Sequence, residues 1–91
     1  MEMSAQQREQ VRLSLLRFLA ANAGGRFGLS SKVLRQMLAA EGQGVADEEV
    51  TAGLRYLEDK GLVKQRQKWV SPENAVWDVT AAGLDYHAQY Q

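Results

Sequence analysis

Cysteine is absent from the 91 residues, which removes disulfide staples, thiolate metal sites and cysteine nucleophiles together and suits a reducing interior. Histidine occurs once, at His87, and Ser30, Ser31 and Ser71 have no base at informative spacing, so nucleophilic catalysis has no apparatus. His87 is expected to be an ordinary helix-surface residue. No phosphate loop or dinucleotide fingerprint occurs. No apolar run approaches the roughly 18 residues that span a bilayer, and the N-terminus lacks an apolar signal core. A net charge is also missing: eleven basic residues balance eleven acidic ones, so any attraction to a polyanion must be local. These absences predict no enzyme, no cofactor, no metal and no membrane contact, and a cytoplasmic location. The length suits one domain over residues 1–91 with a single core.

What is present is periodic. Val11, Leu15, Phe18 and Leu19 form the stripe of an amphipathic helix over about Ser4 to Asn22, ended by Gly24 and Gly25. Leu13, Leu16 and Ala20 form a second stripe round the same helix, divided from the first by Arg12. It suits either burial against another helix of the chain or a dimer seam with a second copy. Ser30 is a good N-cap for a second helix, with Leu29 as a hydrophobic staple on Leu34. Its buried side is Val33, Leu34, Met37 and Leu38, its solvent side Lys32, Arg35 and Gln36, and Gly42 its left-handed stop. After a turn at Gln43-Gly44-Val45, Asp47, or Ala46 beside it, caps a third helix.

That third helix carries Val50, Leu54 and Leu57 inward, and Gly61 lets Leu62 fold back on Leu57 as a Schellman stop. Thr51, Ala52, Arg55 and Glu58 are left outside. Gly53 costs about 1 kcal/mol relative to alanine, so either a neighbouring backbone approaches closely or the cost is tolerated. The period then changes to two: Lys64, Arg66 and Lys68 on one side of a strand, Val63, Gln65, Gln67 and Trp69 on the other. Ser71-Pro72-Glu73-Asn74 suits a turn, Val76 to Val79 a return strand, and Thr80 caps a last helix holding Leu84, Tyr86, Ala88 and Tyr90. Trp69 and Trp77 are expected to anchor the hairpin to the core rather than stack on bases. Tyr86 and Tyr90 suit either a packing edge or a dimer surface.

The fold class this predicts is α+β, mostly α: three helices, a two-stranded β-hairpin wing and a C-terminal helix, the order of a winged helix-turn-helix. Val50, Leu54, Leu57 and Gly61-Leu62-Val63, followed by Trp77-Asp78-Val79-Thr80-Ala81-Ala82-Gly83, resemble the end of the recognition helix and the wing-to-helix passage of small bacterial regulators of the MarR, PadR and ArsR type. The chain also resembles small winged-helix proteins of prophages. The metal-sensing cysteines of the ArsR type are missing. The resemblance implies a transcriptional regulator that binds duplex DNA, with the third helix in the major groove through Thr51, Ala52 and Arg55. Lys64, Arg66 and Lys68 of the wing then meet phosphates, and Lys32 and Arg35 add contacts from the second helix. Arg55 is the base-reading candidate, since a guanidinium can bond guanine O6 and N7 together. From Arg55 to Lys68 five basic residues face two acidic ones.

One departure from that pattern is chemical: Asp47, Glu48 and Glu49 fill the first turn of the recognition helix, where carboxylates suit the helix dipole and repel DNA. They leave open a second reading, in which the same fold contacts a protein partner. The basic strand likewise has a structural explanation, because lysine and arginine protect an edge strand from pairing with other chains.

Overall fold

A computed structural model describes residues 3–67 and 75–89. In chain order these form α1 (Ala5–Ala21), β1 (Leu29–Ser30), α2 (Ser31–Ala40), α3 (Asp47–Asp59), β2 (Val63–Gln67), β3 (Val76–Val79) and α4 (Ala81–Gln89). Lys68, Trp69, the Ser71-Pro72-Glu73-Asn74 turn and Tyr90 lie outside the described residues.

Helix α1 begins with a reciprocal cap, in which Ser4 Oγ accepts from the Gln7 N–H and Gln7 Oε1 from the Ser4 N–H. It packs against α2, α3, α4 and β3, which explains its two apolar stripes. Val11, Leu15, Phe18 and Leu19 are buried as expected, and so is Leu16, at 1% exposure. Placing Leu16 in a dimer seam is therefore corrected: it fills the core of its own chain, while Leu13 and Ala20 are half-buried. Leu34, Leu38, Val50, Leu54, Leu57, Val63 and Trp77 complete that core. Val33 does not join it and remains 40% exposed. The buried hydroxyl of Ser14 is satisfied by Gln43 Nε2 at 2.9 Å, so no polar group is stranded there.

Helix α2 starts as expected, with Ser30 Oγ accepting from the Val33 N–H at 3.2 Å. At α3 the capping position is Ala46, with no side-chain cap, and Asp47 lies inside the first turn. The sheet also exceeds the expected hairpin. Leu29 and Ser30 add a short third strand, giving an antiparallel order β1-β3-β2 with Leu29 opposite Trp77 and Val63 opposite Val79. Two residues carry too little periodicity to announce a strand. Trp77 is the anchor it was expected to be: it is 2% exposed, and its indole N–H reaches Ser31 Oγ at 3.2 Å. Gly53 meets a close neighbour, the Leu15 side chain rather than a backbone, since a β-carbon there would stand 3.0 Å from Leu15 Cδ1.

The end of α3 and the start of α4 interlock. Gly61 has φ +75°, the Gly61 N–H bonds Glu58 O and the Leu62 N–H bonds Leu57 O, both at 2.9 Å. This is the Schellman geometry expected from the sequence. The Thr80 hydroxyl then donates to Gly61 O at 2.6 Å, the Thr80 N–H donates to Leu62 O at 3.0 Å, and Thr80 Oγ1 accepts from the Gly83 N–H at 3.0 Å. A β-carbon on Gly83 would fall 2.1 Å from Leu62 O. Only glycine lets α4 seat this close.

Arg17 joins α1 to the end of α2 through two hydrogen bonds to Glu41, one of them at 3.0 Å. A carboxylate at a helix C-terminus is unfavourable, and the guanidinium offsets it. The hydrogen bonds from Arg17 hold the Glu41 carboxyl below its ordinary value, with the opposite charge adding to the effect.

Two outcomes are expected. Gly83→Ala lowers unfolding stability by on the order of 3 kcal/mol, and Thr80→Val by about 1–2 kcal/mol through loss of a cap and a hydroxyl donor, both measured by urea denaturation. Because the folded Glu41 pKa is depressed, the stability that native protein holds over Arg17→Ala is present at neutral pH. It fades as pH falls through the folded-state pKa of Glu41, which thermal melts across the acid range will show.

Candidate nucleic-acid interface

Helix α3 is held against α1 and α2 by Val50, Leu54 and Leu57, which fixes the direction of its remaining side chains. Thr51 is half-buried and shares the cleft between α2 and α3 with Ser31, Lys32, Arg35, Asp47 and Glu48. Ala52 is exposed and borders the opposite flank, where α3 meets α1 at Met3, Arg8, Arg12 and Glu49. Arg55, four residues after Thr51 and three after Ala52, is exposed on the crest between these flanks and has no hydrogen bond or carboxylate partner among the described residues.

The three carboxylates at the start of α3 do not act as one cluster. Asp47 Oδ1 lies 2.7 Å from Arg35 Nε, an ion pair between the two helices too poorly aligned to be a hydrogen bond. Glu48 faces the α2 flank with Lys32, and Glu49 the α1 flank with Arg8 and Arg12. Of the three, Asp47 is the one with an ion pair among the described residues, so the run is offset by a neighbouring helix at that position. Arg35 is correspondingly less available than expected, whereas Lys32 is exposed with no partner among the described residues.

In the wing, Lys64 is exposed, but Arg66 has a structural task. Its Nε and Nη2 donate to the Asp78 carboxylate at 2.8 and 2.9 Å, and Nη1 and Nη2 donate to the carbonyls of Arg26 and Gly25 at 2.6 and 3.3 Å. The expectation of three equivalent solvent-facing cations is corrected for this one, since its planar fork is filled from both sides. A register shift between Gln65 and Gln67 brings Arg66 over Asp78, and strand alternation alone does not announce it.

Two groups escaped the sequence reading. The Arg12 guanidinium lies 3.7 Å over the Tyr56 ring and Lys60 Nζ 5.6 Å from it, so α1 and the end of α3 share a cationic, aromatic cleft with Glu9, Leu13, Leu62 and Tyr86. The available signal was Arg12 itself, a cation between two apolar stripes. Phe27 is the other, a ring in a glycine-bounded loop that is 72% exposed. Tyr86 packs on the edge of the core. No metal-binding group of three or more acidic or histidine side chains, and no helix long and apolar enough to cross a membrane, occurs among the described residues.

No protein-family model and no curated protein matches the chain. Among solved structures it is similar to S. aureus MepR in complex with DNA, with a TM-score of 0.68 and 20% identity over 93% of this chain and 67% of that one. At that identity the likeness establishes the winged-helix fold.

Arg66→Ala and Arg66→Lys are both expected to lower the melting temperature clearly more than Lys64→Ala, because neither replacement reproduces the two-sided fork while Lys64 holds nothing. Differential scanning calorimetry of the three variants checks this.

Proposed function

We propose that this chain binds duplex DNA as a small transcriptional regulator, with α3 entering the major groove. The observation that carries the reading is Arg55, an unpartnered guanidinium on the crest of an exposed helix whose other side is fixed in the core. Arg55 reads guanine, Thr51 and Ala52 flank it, and Lys32 and Lys64 neutralise phosphates. Lys68, which lies outside the described residues, is assigned the same role by the resemblance. Arg66 serves by holding the wing, and Arg35 is restrained by Asp47. The resemblance to MarR-type regulators and the fold shared with a DNA-bound protein support the reading.

A second copy belongs to the proposal. Leu13, Ala20 and Tyr86 are half-buried and Leu84 is 39% exposed, leaving apolar surface on α1 and α4. A two-fold pair would set two α3 helices about 34 Å apart, one turn of duplex.

Fluorescence anisotropy on a labelled mixed-sequence duplex tests this. Binding is expected to fall steeply with salt. The Lys32→Ala, Arg55→Ala, Lys64→Ala triple variant reduces the slope of log K against log salt by roughly 2 to 3. Asp47→Asn, which removes a carboxylate and frees Arg35, tightens binding roughly two- to fivefold, the scale of a surface ion pair. Absence of binding by native protein at low salt refutes the reading, and sedimentation equilibrium decides the dimer.

A further inference from the structure

Strand β3 alternates cleanly: Trp77 and Val79 face the core, and Val76 and Asp78 face away from it. On that outer face the loop before β1 folds over the sheet and presents Phe27, whose ring forms a shallow recess with Gly28, Arg66 and Val76. Exposed phenylalanines on free loops are common, but this loop is not free. Its carbonyls at Gly25 and Arg26 accept from Arg66, and the Phe27 carbonyl accepts from Asn22 Nδ2 at 2.8 Å. A β-carbon on Gly28 would fall 2.6 Å from Val76 Cγ1 and 2.7 Å from Trp77 O, so glycine is what allows the loop to lie against the sheet. The backbone is thus pinned from both ends while the ring is left 72% exposed. A rigid, solvent-facing aromatic loses little conformational entropy on being covered, the property of an interface anchor.

The charge around the ring has one sign. Arg26, Lys64 and Arg66 share this face with a single carboxylate, Asp78, which Arg66 already neutralises. The Arg26 guanidinium lies 5.7 Å from the Phe27 ring centroid and has no carboxylate partner among the described residues. The register puts Lys64 opposite Asp78 and Val63 opposite Val79, at the end of the strand pair that joins α3 and α4. Phosphates give an exposed ring no apolar contact, whereas a peptide brings apolar and acidic side chains together.

We propose that the outer face of the sheet at the base of the hairpin docks an acidic peptide segment of a protein partner. An apolar side chain of that segment packs on Phe27 and Val76, and its flanking carboxylates pair with Arg26 and Lys64. The surface is separate from α3, and the proposal does not rest on the DNA reading.

The test is to pan a phage-displayed library of random dodecapeptides on the full chain, with counter-selection on the Phe27→Ala variant. Enriched peptides are expected to place aspartate or glutamate around a leucine, phenylalanine or tryptophan. The strongest, made synthetically, is expected to lose about tenfold in affinity or more with Phe27→Ala and several-fold with Arg26→Ala. Both variants should keep the native far-UV circular dichroism, melting temperature and duplex affinity. Amide shifts on adding the peptide should cluster at residues 25–28, 64–66 and 76–78. The proposal is overturned if the enriched peptides carry no acidic excess, if they bind Phe27→Ala as tightly as native protein, or if the shifts map elsewhere. A short duplex that perturbs Phe27 and weakens with Phe27→Ala would also overturn it, by making this face a DNA surface.

Discussion

The contact on which the rest of the architecture depends is between two turns: the left-handed exit of α3 at Gly61 and Leu62, and the entry of α4 at Thr80. Two hydrogen bonds and the close approach of Gly83 to Leu62 O join them, and a third bond, from the Gly83 N–H to Thr80 Oγ1, caps α4 itself. Each partner solves the other's problem. The turn that ends α3 leaves the Gly61 and Leu62 carbonyls free and the start of α4 leaves the Gly83 amide free, and Thr80 bonds all three at once. Because β2 leaves from one side of this junction and β3 arrives at the other, Val63 is placed opposite Val79 and the hairpin register follows. The wing is therefore indexed to the end of α3, the helix whose outer crest carries Arg55. A winged helix must keep these two surfaces in fixed relation, and this junction is where the relation is made.

That contact also explains why two short sequence signals together were more informative than either alone. Gly61-Leu62-Val63 and Thr80-x-x-Gly83 stand about a hairpin apart in sequence and touch in the fold, so they constrain the same few ångströms of structure. Much else was legible for local reasons. The core stripe of α1, the Ser30 cap, the Gly61 stop and the burial of Trp77 each depend on residues within a turn or on strong periodicity. What was not legible depended on neighbours remote in sequence. Leu16 reads equally as a contact within the chain or with a second copy, and is settled by a helix that packs against four other elements. Arg66 reads as a solvent cation until a register shift sets it over Asp78 and beneath two carbonyls some forty residues earlier. A two-residue strand carries no period at all.

The acidic start of α3 shows how such remote pairing changes a functional argument. As a run, Asp47, Glu48 and Glu49 read as a barrier to nucleic acid. On the helix they diverge by about 100° per residue: Asp47 pairs with Arg35, Glu48 borders the cleft toward α2, and Glu49 borders the flank toward α1. The dipole of α3 stabilises all three where they stand. The same pairing draws Arg35 into neutralising a carboxylate. The attraction available to a polyanion at the helix pair is thus smaller than a count of its cations. Arg55 gains relative weight, because nothing in the described structure competes for it.

Across the surface the cations sort by what else they touch. Arg17 and Arg66 have their guanidinium forks filled by carboxylates and carbonyls, and their removal would be felt in folding. Arg12 covers an aromatic ring, an arrangement worth about 0.5–1 kcal/mol at an exposed site, and so divides its role between packing and charge. Arg55, Lys32 and Lys64 have no such duty. In a chain of zero net charge, an unpaired cation has a local effect only, since at physiological salt its field is screened within about 8 Å. Recognition must then come from where the unpaired groups stand. Lys32 stands on α2, Arg55 on the crest of α3 and Lys64 at the start of the wing, and the Gly61–Thr80 junction ties the last two together.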